Sequence, residues 1–252
     1  MSASADGLIR QWKRDGEPVG KPWYGDGGGV GTIAVSPDEA MVVCGHTDGR
    51  LRLWNIKEGS TIGEPWEGHC YAVVCLDWSP NALEIASGSE DGTIRRWNPD
   101  TGRQIAPPIE TSHGWGHDNV VLSLCWSKDG AHIFSGSADT TIRKWRVIDG
   151  KEVVVLRGHT TAVRSLCLTP NERYIVSASY DFSVRIWDLK TNQAVGDPLL
   201  HDDRILVVAV SPDGTFIASA GPDTKIYVWN LEAALERYQV GVLVLWCYHI
   251  LF

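Results

Sequence analysis

Residues 24–31 read YGDGGGVG, and five of these eight residues are glycine. Glycine-rich loops at helix N-termini bind phosphate through backbone N–H groups, so the stretch is a candidate nucleotide site. It lacks the P-loop spacing G-x-x-x-x-G-K-[ST], and it does not lead from a strand into a helix, as the dinucleotide pattern G-x-G-x-x-G requires. The nearby stretch GEPVGKP (residues 16–22) also fails the P-loop spacing and ends in proline. We therefore predict no phosphate-binding loop here.

Metal and catalytic chemistry can be weighed from the histidines, cysteines and aspartates. Four of the eight histidines, at positions 69, 117, 159 and 201, recur every 42 to 48 residues in equivalent turns, and the six cysteines form no C-x-x-C pair. Neither pattern brings ligands together, so we predict no metal site and no cofactor. No G-x-S-x-G elbow is present, and the regularly spaced aspartates are expected in turns rather than in a catalytic pair. The prediction is a binding protein without catalytic residues, not an enzyme.

The net charge of −8 disfavours nucleic acid and anionic membrane surfaces as partners, because both attract clustered Lys and Arg. The first residues, MSASADGLIR, form no apolar signal-peptide core, and the cysteine pattern suits a reducing compartment. We expect a cytoplasmic protein, with the nucleus as an alternative. No small-molecule substrate is expected.

A repeat of 42 to 48 residues organises the chain. Six segments align without gaps: SASADGLIRQW, CGHTDGRLRLW, SGSEDGTIRRW, SGSADTTIRKW, SASYDFSVRIW and SAGPDTKIYVW. They end at Trp12, Trp54, Trp97, Trp145, Trp187 and Trp229. Each period holds four short runs rich in Val, Ile and aromatic residues, separated by turn signals such as SPDG at residues 211–214. Four short antiparallel strands per repeat predict the blades of a β-propeller.

The sequence resembles the WD-repeat family of β-propellers over roughly residues 2–230. Gly-His pairs stand at Gly68-His69, Gly116-His117 and Gly158-His159, while the Trp-Asp pair is intact at Trp187-Asp188. The resemblance implies an all-β WD-repeat β-propeller of about six blades, the first of them incomplete. A fragment of a seven-bladed ring, from a truncated gene product, is the alternative.

The predicted organisation has three parts. Residues 1–24 form a partial first blade, residues 25–230 form five further blades of the same propeller, and residues 231–252 form a helical and apolar tail outside the repeat pattern. The segment 240–252 is too short to span a membrane. Its valine-rich part could supply a strand to the sixth or first blade, or remain an exposed apolar tail.

The family resemblance also implies a four-residue hydrogen-bond network in each of four blades. The implied members are His69, Ser87, Asp91 and Trp97; His117, Ser135, Asp139 and Trp145; His159, Ser177, Asp181 and Trp187; and His201, Ser219, Asp223 and Trp229. Buried His, Ser and Asp side chains are tolerated when each finds a partner.

The glycine run at residues 24–31 then aligns with the Gly-His turns of RGHTTAV (157–163) and EGHCYAV (67–73). Asp26 takes the histidine position, and Cys44 takes the serine position of the same repeat. We interpret the run as a degenerate turn in a weakened second blade.

Partner binding is expected on the rim that carries the Gly-His turns. Family alignment places Arg164, Tyr180 and Arg204 there in neighbouring blades, and Arg and Tyr are enriched in interface hot spots. Other predicted rim residues are Glu90, Leu122, Leu206 and, in an inserted loop, Trp115. We predict a non-catalytic scaffold that binds other proteins through this rim.

A detached sensing or receptor region is the alternative function. The linkers IGEPWEGH, VGDPLLHD and GRQIAPPI resemble those of repeat arrays attached to fungal NACHT-type NTPases, which would make the chain a ligand-sensing region of such an assembly. The substrate receptor of a ubiquitin ligase is a further version. Against it, the adaptor motif W-D-x-R is absent, and the nearest match is WDLK at residues 187–190.

Overall fold

A computed structural model describes residues 1–24, 28–109, 117–236 and 242–246 of the chain. The chain divides into two compact units, Met1–Gly130 and Ala131–Phe252. In the described parts of the chain, the strands form six antiparallel sheets of three or four strands each. The all-β prediction is confirmed.

Unit 1 contains eleven described strands in chain order. They are β1 (Ser2–Ala3), β2 (Leu8–Trp12), β3 (Pro18–Tyr24), β4 (Val30–Val35), β5 (Met41–His46), β6 (Leu51–Asn55), β7 (Ser60–Trp66), β8 (Val73–Trp78), β9 (Ile85–Ser89), β10 (Ile94–Trp97) and β11 (Val121–Trp126). Sequential pairing gives the sheets β1-β2-β3, β4-β5-β6-β7 and β8-β9-β10.

Unit 2 contains one helix besides its described strands. The strands are β12 (His132–Ser137), β13 (Ile142–Arg146), β14 (Glu152–Leu156), β15 (Val163–Leu168), β16 (Tyr174–Ser179), β17 (Ser183–Asp188), β18 (Gln193–Leu200), β19 (Val207–Val210), β20 (Phe216–Ala220), β21 (Lys225–Asn230) and β22 (Val242–Trp246), and α1 is Leu231–Leu235. Strands β12 to β14, β15 to β18 and β19 to β22 each pair in sequence order.

The core of each unit forms where neighbouring sheets pack face to face. Strands β9 (IASGS) and β16 (YIVSAS) are buried almost throughout, and Trp97, Trp145 and Trp187 are among the largest fully buried side chains. In unit 1, a Cβ at Gly88 would lie 2.6 Å from Val121 of β11. In unit 2, a Cβ at Gly136 would lie 2.7 Å from Val163 of β15. Only glycine allows the sheets to approach this closely.

Tryptophans at the ends of the first strands join successive sheets of unit 1. The indole N–H of Trp78 donates to the Ala34 carbonyl at 3.0 Å, and that of Trp126 donates to the Asp77 carbonyl at 3.3 Å. In unit 2 a different link joins two successive sheets, from the Val208 backbone N–H to Ser165 Oγ at 3.2 Å. Each link gives a buried polar group a partner in the next sheet.

The segment after the sixth repeat contributes to the last sheet. Asn230 caps α1 by accepting a hydrogen bond from the Ala233 N–H. Strand β22 then pairs antiparallel with β21, with Trp229 opposite Val242 and Lys225 opposite Trp246. Of the alternatives that the sequence left open, the structure has a strand added to the sixth sheet. Residues 247–252 lie outside the described residues.

Candidate functional site

The third and fifth repeats contain the same buried chain of hydrogen bonds. In the third, His69 Nδ1 lies 2.9 Å from Asp91 Oδ2 and His69 Nε2 lies 2.7 Å from Ser87 Oγ, which accepts from the Trp97 indole at 2.8 Å. In the fifth, the corresponding distances among His159, Asp181, Ser177 and Trp187 are 2.8, 2.7 and 2.8 Å. A neutral imidazole with its proton on Nδ1 satisfies every bond in this chain.

The aspartate of each network also holds the turn that leads into the first strand of its own sheet. Asp91 Oδ2 accepts from the Cys70 N–H at 3.1 Å, and Asp181 Oδ2 accepts from the Thr160 N–H at 3.0 Å. Although burial alone raises the pKa of Asp91, hydrogen bonds from His69 and Thr93 hold it well below its usual range. Burial lowers the pKa of His69, against the opposing effect of Asp91. The turn of the third repeat is therefore clamped by an ionised Asp91 and a neutral His69.

The sixth repeat forms its network differently from the family-based expectation. Ser219 Oγ contacts His201 Nε2 at 2.9 Å and accepts from the Trp229 indole at 3.1 Å. Asp223 accepts instead from the Tyr227 hydroxyl at 2.9 Å, and in the described part of the chain no hydrogen bond joins it to His201. Tyr227 stands where the third, fourth and fifth repeats have arginine, and its ring lies 4.0 Å from that of His201. The Tyr227 hydroxyl therefore takes the place of the His201 ring as the hydrogen-bond donor to Asp223.

The fourth repeat keeps the part of the network that lies in unit 2. The Trp145 indole donates to Ser135 Oγ at 2.7 Å. Asp139 accepts from the Thr141 hydroxyl at 2.7 Å and lies 3.5 Å from the Arg143 guanidinium. His117 is fully buried in unit 1.

The second repeat departs from this pattern at its serine position. Cys44 and Trp54 are both buried, and within the described residues the Trp54 indole N–H has no hydrogen-bond partner. Burial raises the pKa of the Cys44 thiol to about 12, so the side chain is neutral and only a weak acceptor. Asp26, at the histidine position, lies outside the described residues.

On the rim of unit 2, Tyr180 and Arg204 are in direct contact. The Arg204 guanidinium lies 5.7 Å from the centroid of the Tyr180 ring, a cation–π geometry. Arg204 is exposed, and Tyr180 is half-buried. Between Arg204 and Leu206, the fully buried Ile205 anchors the loop, and its N–H donates to the Ser179 carbonyl at 3.1 Å. This bond brings Arg204 next to Tyr180.

Arg164 lies on β15, at the same end of the fifth sheet as Tyr180. It is half-buried and lies at the β-bulge after Val163, whose register partner is Ser179, the residue before Tyr180. Leu206 is half-buried, and its N–H donates to the Ala220 carbonyl at 2.9 Å.

Unit 1 carries the remaining predicted rim residues. Glu90 is exposed, and its N–H donates to the Ala72 carbonyl at 3.0 Å, the same bond that joins Tyr180 to Ala162 in unit 2. Leu122 is half-buried on β11. Trp115 lies outside the described residues.

Comparison with known protein families agrees with the repeat geometry. The family model described as "WD domain, G-beta repeat" matches residues 16–55, 59–98, 109–146, 150–188 and 199–230, which together make up most of the chain. The chain belongs to the WD-repeat family. A comparison with curated proteins found no match.

WD repeats generally mediate protein interactions, and WD-repeat proteins are typically non-catalytic scaffolds. Within the described residues of this WD-repeat chain, no cluster of His, Cys, Asp and Glu side chains has the size needed to hold a metal ion. No helix in the same residues combines the length and apolar character needed to cross a membrane.

Two exposed apolar residues on the rim of unit 2 were missed by sequence reasoning. Phe182 is 46% exposed and Leu200 is 68% exposed. The available signal was a departure from the repeat, since both residues stand where several other repeats have glycine. Tyr71, which is 62% exposed and precedes Ala72 on the rim of unit 1, was also missed and carries no such signal.

Proposed function

We propose that this WD-repeat chain is a non-catalytic scaffold that binds other proteins through the rim of its repeats. The observation that carries the proposal is the accessible Tyr180–Arg204 pair, 5.7 Å from ring centroid to guanidinium, with Arg164 at the adjacent bulge. Arg and Tyr combine a large contact surface with directional hydrogen bonding, which is why they dominate interface hot spots. The net charge of −8 supports protein over nucleic acid as the partner.

The backbone beneath this pair is held in place before any partner binds. The Tyr180 N–H donates to the Ala162 carbonyl at 3.1 Å, and the Asp181 N–H donates to Ser179 Oγ at 3.1 Å. Asp181 is in turn bound to His159 at 2.8 Å. A preorganised backbone loses little conformational entropy on binding, so more of the contact energy remains as affinity.

The proposal is tested by affinity capture with cross-linking and mass spectrometry on the full chain. The wild type is compared with the triple variant Arg164→Ala, Tyr180→Ala, Arg204→Ala. The matched control is Lys190→Ala, Thr191→Ala, because these exposed residues lie in the turn at the opposite end of β17. Circular dichroism and thermal melts check that all three proteins are folded.

We expect proteins that cross-link to the rim of the wild type and the control but not of the triple variant. Identical partners for the wild type and the triple variant would remove the rim of unit 2 as the binding site. The absence of any reproducible partner would contradict the scaffold function.

A further inference from the structure

Phe182 and Leu200 replace small residues of the repeat with large apolar side chains. Phe182 occupies the turn position held by Gly7, Gly49 and Gly92 in earlier repeats, and Leu200 precedes His201 as Gly68 precedes His69. Phe182 has a left-handed backbone with φ of 67°, a conformation that is strained for a bulky side chain. Neither residue gains a buried position from the replacement, since they are 46% and 68% exposed.

The segments that carry these two side chains are adjacent. Leu200 pairs in register with Ser183, the residue after Phe182. The His201 N–H also donates to the Phe182 carbonyl at 2.9 Å, which holds the two segments side by side. Exposed large apolar side chains gathered at one spot indicate an interaction surface more strongly than scattered ones do.

A cationic group lies on the same rim. Arg204 follows His201 by three residues, and its guanidinium lies over Tyr180, two residues before Phe182. Within the described residues Arg204 forms no ion pair, whereas the neighbouring Lys225 is bound to Asp202 at 2.6 Å. The guanidinium therefore retains donors for an incoming acceptor.

The charge around Arg204 favours a single carboxylate over a phosphate. Asp181, Asp202 and Asp203 lie on the same loops, and Asp203 accepts from the Arg204 N–H at 2.7 Å. These carboxylates repel a dianion more strongly than a monoanion. A carboxylate, by contrast, matches the paired donors of one guanidinium.

We propose that the surface formed by Tyr180, Phe182, Leu200 and Arg204 binds a short segment of another protein in which Asp or Glu is adjacent to a large apolar residue. The acidic side chain would pair with Arg204, and the apolar side chain would cover Phe182 and Leu200. The inference rests on the proposed scaffold function and specifies the chemistry of its partner.

The test uses random dodecapeptides displayed on phage, selected against the immobilised full chain, followed by binding measurements on synthetic copies of the enriched peptides. Three single variants are compared with the wild type. Phe182→Asn removes the apolar ring and suits the left-handed backbone, Arg204→Gln removes the charge, and Lys190→Ala is the control at the opposite end of β17. Arg204 is exposed, so Arg204→Gln remains informative if Phe182→Asn fails to fold.

Enriched peptides are expected to contain Asp or Glu next to an aromatic or aliphatic residue. Their affinity should fall about tenfold on Phe182→Asn and on Arg204→Gln, and stay unchanged on Lys190→Ala. Changing the acidic residue of the peptide to its amide should weaken binding to the wild type but not to Arg204→Gln. This coupling would identify the ion pair, which a general loss of structure would not produce.

If peptides are enriched, any of three results would overturn the inference: peptides without acidic residues, unchanged affinity on Arg204→Gln, or tighter binding when phosphoserine replaces the acidic residue. A selection that enriches no peptide would also overturn it. If no peptide is enriched but the chain still captures proteins, and the triple variant of Arg164, Tyr180 and Arg204 loses them, the proposed scaffold function stands.

Discussion

Replacing Cys44 with serine should stabilise the second repeat. In the other repeats the indole of the last tryptophan donates to a serine hydroxyl, at 2.7 to 3.1 Å: Trp12 to Ser2, Trp97 to Ser87, Trp145 to Ser135, Trp187 to Ser177 and Trp229 to Ser219. Cys44 pairs with Arg52 across β5 and β6 as Ser87 pairs with Arg95 across β9 and β10. A serine at position 44 would therefore present its hydroxyl to the Trp54 indole.

The expected gain follows from the unsatisfied donor. Trp54 is 3% exposed, so its indole N–H is removed from water, and within the described residues it meets no acceptor. A typical hydrogen bond contributes about 0.5–1.5 kcal/mol net, and the new hydroxyl loses part of this because Cys44 is a fully buried site. We expect about 1 kcal/mol of added stability, which corresponds to a rise in Tm of about 2–4 °C for a domain of this size.

The assay is urea unfolding followed by far-UV circular dichroism, with exchange of the Trp54 indole proton measured by NMR. Cys44→Ser should raise the urea midpoint at unchanged slope and slow the indole exchange. Ser87→Cys is the reverse control, and it should lower stability by about 2–4 kcal/mol because it removes the acceptor of Trp97 and the partner of His69. A midpoint lowered by Cys44→Ser, or a neutral Ser87→Cys, would refute the reasoning.

Three further outcomes follow from the networks and the rim. Burial lowers the pKa of His201 to about 4, so protonation favours the unfolded chain. The unfolding free energy of the wild type should drop by about 2 kcal/mol between about pH 7.5 and pH 5, and that of His201→Gln should drop less. The depressed pKa of Asp91 gives stability that is present above about pH 4 and lost on further acidification, so the cost of Asp91→Asn in urea unfolding should shrink below that pH. A Cβ at Gly221 would overlap the Arg204 carbonyl oxygen, so Gly221→Ala should weaken partner capture. Gly130→Ala strains a left-handed backbone (φ of 68°) but has open space around its Cβ, so it should lower stability without weakening capture.

The sequence predicted the parts of the fold that repeat. Six aligned segments ending in tryptophan indicated the sheets, because a fixed period reports one supersecondary unit stacked on its copies. The residues of the third and fifth networks also follow from alignment, since equivalent positions in equivalent strands face the same neighbours. The residues on β22 lie outside the repeat, so its period does not decide whether they join the first or the sixth sheet.

An alignment of residue types does not show when a substitution at one position changes the hydrogen-bond partner of a network residue. His201 and Asp223 keep their positions in the sixth repeat, which predicted a bond between them. The exchange of arginine for Tyr227 two residues before Trp229 gives Asp223 a different donor, at 2.9 Å. That outcome depends on the length and direction of the tyrosine side chain, and a pattern of residue types does not contain either.

Departures from the repeat have opposite meanings in the core and on the rim. At the buried Cys44 the departure leaves Trp54 without an acceptor within the described residues, which costs stability and adds no accessible group. At Phe182 the departure also costs stability, through a left-handed backbone, but it places an aromatic ring in solvent beside Arg204. A loss of stability that creates an accessible surface can be explained by a functional role of that surface. The fifth and sixth repeats are therefore where a partner of this chain should be sought first.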